Sequence, residues 1–160
     1  MSSHILNFWM PNSKYQRFWF HSGPDFNQKV KDKFGKQLRE LEESAVKRIC
    51  WMQRSPLECF ALIILFDQLS RHIHGDKRND KHALAACNYL ISMDWDFEIP
   101  ANQRAFALMP LRHAYTATGK IIYLKQTLQR INKYSKSDQE NTHLNRFYKY
   151  TKKIAEGKNN

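Results

Sequence analysis

Ser55-Pro56-Leu57-Glu58-Cys59-Phe60-Ala61-Leu62-Ile63-Ile64-Leu65-Phe66-Asp67-Gln68-Leu69-Ser70-Arg71-His72 passes from a helix-start signal through eight apolar residues into a dense polar cluster. Ser55 and Glu58 have the spacing of a capping box, and Pro56 fits the first helical position. Residues 59–66 are apolar without a break, too many for a one-sided amphipathic face and too few to span a bilayer. A helix that is apolar all round belongs inside the molecule. The stretch therefore predicts a central buried helix over 56–74, stopped at Gly75. Its far end carries Asp67, Gln68, Arg71 and His72 inward, and buried polar groups require partners or a ligand.

The flanking sequence is helical by the same criteria. Phe26, Val30, Phe34, Leu38, Leu41, Ala45 and Ile49 recur at steps of three and four, which predicts one long helix starting at Asp25. Gly35 is its weak point, a site of close approach or a break. Asp80 caps a third helix over 80–93, where Ala83, Ala86 and Cys87 offer small side chains for close packing. Pro100 opens a further helix that Pro110 interrupts, and Gly119 marks the next boundary. An amphipathic helix over 121–131 and a polar linker over 135–141 precede a basic C-terminal helix bearing Arg146, Lys149, Lys152 and Lys153. No strand-like alternation competes anywhere. The expected architecture is all-α, one domain over 1–160, an array of antiparallel helices around a central buried one. An aromatic N-terminal segment, 1–24, supplies Trp9, Phe18, Trp19 and Phe20 as anchors packed onto that array.

The charge balance points to partners. Lys and Arg number 26 against 15 Asp and Glu, a formal net charge of +11. Such a surplus favours an acidic protein or nucleic acid, met through the basic helices. Cys50, Cys59 and Cys87 form no CxxC pair and lie in apolar helical contexts, so they read as reduced core residues rather than zinc ligands. No metal and no cofactor is implied. Without a signal-like or membrane-spanning segment, the chain is expected to be soluble and intracellular, in the cytoplasm.

The polar cluster is the candidate site. Asp67 and Arg71 are four apart on a helix and share a face, as do Gln68 and His72. Arg104, Arg112 and His113 arrive on another helix. These groups suit bidentate recognition of a phosphate or carboxylate. Asp67 with a histidine also suits acid–base chemistry. The same residues equally suit a structural network that fixes helix packing.

Phe18-Trp19-Phe20, the run Leu62-Ile63-Ile64-Leu65-Phe66-Asp67-Gln68 continuing to Arg71, and Arg104-Ala105-Phe106-Ala107-Leu108-Met109-Pro110-Leu111-Arg112-His113 occur in that order. Over residues 5–131 the chain resembles the TPR-like helical family catalogued as domain of unknown function 924. The resemblance implies an α-helical, TPR-like architecture and no established activity. His72 stands where that family usually has Asn, and Ala114-Tyr115 where it has Ser-Glu. Its C-terminal motif is not recognisable after Phe147. The expectation is a binding or interaction module for an anionic partner rather than an enzyme. The alternative is a small-ligand protein or enzyme built on the Asp-Gln-Arg-His cluster.

Overall fold

The computed structural model describes residues 2–14, 16–19 and 22–158. Helix α1 spans Ser2–Trp9, α2 Pro24–Glu43, α3 Ala45–Met52, α4 Pro56–Ile64 and α5 Ser70–His74. Then come α6 Asp80–Ser92, α7 Arg104–Thr118, α8 Ile122–Asn132, α9 Lys136–Gln139 and α10 Thr142–Lys158. There is no strand among the described residues. Pro11–Ser13, Arg17–Trp19, Trp95–Glu98 and Ala101–Gln103 form short 3-10 turns.

The rod α4 starts where its sequence signals it. The Ser55 side chain accepts from the Glu58 N–H at 3.2 Å, and Pro56 takes the first turn. Only half of the capping box forms. The Glu58 carboxylate turns to the Ser2 N–H of α1 instead. Residues 59–66 are all buried. Around α4 pack α1, α3, α6 and α7. Ala83, Ala86 and Cys87 of α6 are fully buried, and the Cys59 thiol reaches the Ala86 carbonyl at 3.4 Å. That contact requires the close approach that small side chains permit. Burial pushes the Cys59 thiol up to about 12 and raises Cys87 as well, so both are inert thiols.

The rod is not one α-helix to residue 74. Leu65–Leu69 widens into a π turn, in which Ser70 N–H bonds the Leu65 carbonyl. The chain resumes α-helical geometry as α5 and stops at Gly75, whose φ of 71° is left-handed and suits a residue without Cβ.

The apolar stripe of the second helix also divides. Val30, Phe34, Leu38 and Leu41 are buried, but Ala45, Ile49 and Cys50 are exposed. Ser44 breaks the helix and caps α3, accepting from the Lys47 N–H at 3.2 Å. Arg48 then folds back onto the Leu41 and Glu42 carbonyls at the end of α2. Cys50 is therefore a surface thiol rather than a core residue. Gly35 marks no break, since α2 runs through it. Pro110 likewise lies inside an unbroken α7.

The N-terminal aromatics pack as anchors do. Trp9 is buried against Phe18, Trp19, Phe106 and His72. The Trp19 indole N–H donates to the Trp9 carbonyl at 2.7 Å. Phe8 sits between Phe18, Phe26 and Phe34, with Lys33 over its ring at 5.2 Å. Phe20 lies outside the described residues.

Two arginines hold the loop before α7. Arg104 donates to the Ile99 and Phe97 carbonyls and to Asp138 at 2.8 Å. Asp138 belongs to α9, which occupies residues that read in the sequence as a polar linker and starts at a Ser135 cap. Arg130 donates to both oxygens of fully buried Asp96, at 2.6 and 2.5 Å, and to Asp94 at 2.6 Å. Tyr134 also donates to Asp96 at 2.6 Å. Burial and that carboxylate raise the Tyr134 phenol well above its usual range, so it stays a donor.

Asp96→Ala should destabilise by about 3–5 kcal/mol, because Arg130 keeps a buried charge without its main partner. A denaturant titration giving under about 1 kcal/mol would show the network to be dispensable. His72 supplies a pH dependence. Burial beside Trp9 and Phe26 lowers its pKa from the ordinary 6.5. The unfolded chain therefore binds more protons below that pH. The His72 contribution is complete above about 6.5 and is lost as pH falls through the lower folded value. Melting temperature should drop between pH 7 and pH 5, and the drop should be smaller in His72→Gln. Equal drops in the two proteins would contradict this.

Candidate functional site

The π turn decides where the polar end of the rod points. An extra residue in one turn rotates the residues beyond it by about 100° relative to an unbroken α-helix. Asp67 and Arg71 consequently do not pair through their side chains. Arg71 Nε donates to the Asp67 carbonyl at 3.0 Å, and its Nη2 bonds both oxygens of Asp80 at 2.9 Å. The Asp67 carboxylate, fully buried, faces α7 instead. One oxygen lies 2.7 Å from His113 Nδ1, and the other accepts from the Gln68 amide at 2.6 Å. A carboxylate accepts, so His113 donates through Nδ1 and its Nε2 is left for another group. The His113 side chain keeps 24% of its surface accessible.

Of the seven candidate site residues, Asp67, Gln68, Arg71 and His113 come together, joined by Asp80. The other three go elsewhere. His72 is drawn to α2, where Asn27 Oδ1 lies 2.8 Å from its Nδ1. Arg104 belongs to the network around Asp138 and the 97–99 carbonyls. Arg112 turns toward α10, its guanidinium 4.4 Å from the Tyr150 ring centroid and 5.4 Å from that of Phe147. The sequence marks Asp80 only as a helix cap. The cap position is taken by Asn79 instead, with no side-chain cap bond, and Asp80 lies in the first turn of α6 with its carboxylate turned to Arg71, a pairing that depends on tertiary proximity alone. Glu42, which bonds His74 and the Asn79 amide at the same end of the rod, carries no sequence signal.

Asp67, Asp80 and His113 can bring one ligand atom each within 4.8 Å of one another, a donor set a divalent cation would accept. Arg71 already neutralises Asp80 from 2.9 Å, and Gln68 and His113 occupy Asp67. Burial raises the Asp80 pKa, with Arg71 and His113 opposing it and Asp67 adding to it. The arrangement is that of a charge-compensated junction between α5, α6 and α7.

A different geometry surrounds Arg112. It lines a cleft of about 280 Å³ between α7 and α10, together with Trp19, Phe106, Met109, Phe147 and Arg146 and with the polar Asn102 and His143. Burial lowers the Arg112 pKa from its ordinary value. The neighbour that favours its charged form is the Tyr150 phenol, not a carboxylate. On α10, Arg146, Lys149, Tyr150 and Lys153 fall at i, i+3, i+4 and i+7, one exposed face beside that cleft. The notable residues missed in the sequence are Met109, Phe147 and Tyr150. Met109 and Phe147 stand among apolar positions that read as core, Tyr150 stands on the exposed basic face of α10, and nothing distinguishes a cleft wall from either until the helices are placed.

No helix among the described residues is long and apolar enough to cross a membrane. No curated protein matches the chain, and no solved structure does. A family model does match, over residues 5–156, and so reaches past the 5–131 resemblance into the C-terminal helix α10. The chain belongs to the family described as "Bacterial protein of unknown function (DUF924)".

Proposed function

We propose that this chain is a binding module for an anionic partner, received on the face where α7 and α10 meet. One observation carries the reading. Arg112 is half-buried beside an apolar cleft and forms no ion pair with a carboxylate among the described residues, so an incoming anion would supply the missing charge. The Arg146, Lys149 and Lys153 face and the formal charge of +11 support it by attracting anions from a distance. In this reading residues 1–160 make one TPR-like array of antiparallel helices around α4, working in the cytoplasm. The partner is an acidic protein segment or nucleic acid.

The carboxylate–imidazole pair Asp67–His113 favours a second reading, acid–base chemistry on a small ligand. A buried carboxylate that fixes the ring through Nδ1 leaves Nε2 as the working atom.

The first reading is tested by fluorescence anisotropy with a labelled acidic peptide and a labelled single-stranded RNA at low salt. At least one should bind, more weakly as salt rises. Arg112→Met should weaken it about tenfold or more, the size of a lost charge-assisted hydrogen bond. Absence of binding to both at low salt would end the reading. For the second, long-range proton–nitrogen spectra of neutral His113 should show the proton on Nδ1. A proton on Nε2 would remove the acid–base arrangement.

A further inference from the structure

The cleft beside Arg112 is narrower in its demands than the surface around it. Its lining is mostly apolar, with Trp19, Phe106, Met109 and Phe147, but it also includes Asn102 and His143 and two cations, Arg112 and Arg146. Trp19 and Phe106, both in its lining, meet edge to face at 4.8 Å and offer rigid aromatic surface. The volume of about 280 Å³ is at the lower limit of small-molecule pockets, about 300 Å³ upward. A folded peptide element or a nucleotide strand exceeds it.

We infer that the cleft binds a small amphipathic carboxylate, its acid group on Arg112 and its apolar body over Phe106, Met109 and Phe147. The inference rests on the anion-binding reading of this face and adds a small-molecule ligand, held in the cleft, to the macromolecular partner proposed for the surface around it. The chemistry on each side is complementary. A planar guanidinium offers paired N–H donors to a carboxylate, and its stacking on Tyr150 and Phe147 holds the fork in place. The apolar part of the lining excludes water from that contact, which strengthens it. A free inorganic anion would forgo the apolar part of the lining, and a neutral apolar molecule would leave Arg112 as it is. Only a molecule with both parts uses both.

The test is isothermal titration calorimetry of the full chain with octanoate, octylamine and 1-octanol, alongside octyl phosphate and the acidic peptide. Octanoate should bind with a Kd of about 10–500 μM, in keeping with its few atoms. Octylamine and octanol should bind at least about tenfold more weakly. Arg112→Met should raise the octanoate Kd about tenfold or more, Arg112→Lys less, and Ala105→Leu should block the cleft with the cation intact. Thermal melting checks that each variant folds, and any two of the three suffice.

Equal binding of octanoate, octylamine and octanol would overturn the inference, as would octanoate binding unaffected by Arg112→Lys and Ala105→Leu. Tighter binding of octyl phosphate than octanoate would replace the carboxylate by a phosphate and overturn the stated class. Peptide binding that depends on Arg112 without octanoate binding would overturn it too, leaving the broader anion-binding reading standing. No binding of any anion would remove both.

Discussion

A carboxylate with no exposed surface, Asp67, is carried inward at the end of an apolar rod, and the helices around it must meet its demand for partners. Asp67 is tolerable there only because α7 presents His113 at 2.7 Å and Gln68 closes the other oxygen. Sliding α7 by one turn, about 5.4 Å, would take the imidazole away and strand a buried charge. Apolar burial between α4 and α7 is non-directional, whereas the polar bond has one geometry. The same junction ties α6 through Arg71 and Asp80. Burial supplies the driving force for packing these helices, and this network selects one register among the packings that burial allows.

Much of this is legible in the residues. Ser55 and Pro56 start α4 where they should, Gly75 and Gly119 stop their helices in left-handed geometry, and the uninterrupted apolar run is buried throughout. Asp67 and His113 both stand out in the sequence, on opposite helices, as groups that need partners. The π turn is not legible. Residues 65–69 have no composition that distinguishes a π turn from an α turn. Once it forms, every i, i+4 inference across it fails, which is why Arg71 bonds the Asp67 carbonyl and seeks Asp80 for its charge. The stripe through Ala45 and Ile49 misleads in a related way. Periodicity persists across Ser44, but the backbone does not, and the capping serine is the stronger signal.

The arginines show what sequence leaves open about function. Arg71, Arg104, Arg112 and Arg130 are alike as residues in helical sequence, yet three of them are matched. Arg71 has Asp80, Arg104 has Asp138 with two carbonyls, and Arg130 has Asp96 with Asp94. Each of these serves to pin a loop or a helix start, and each would lose by exchanging its partner for a ligand. Arg112 has been drawn partly out of water and given aromatic faces in return. Stacking offsets some of the lost hydration, but less than a carboxylate at hydrogen-bonding distance would. That difference is free energy available to an anion that arrives there and to none of the other three sites. The polar end of the buried rod satisfies itself and thereby fixes the helices. The cleft beyond it is the better place for a ligand because its cation is the one whose electrostatic demand the fold leaves partly unmet.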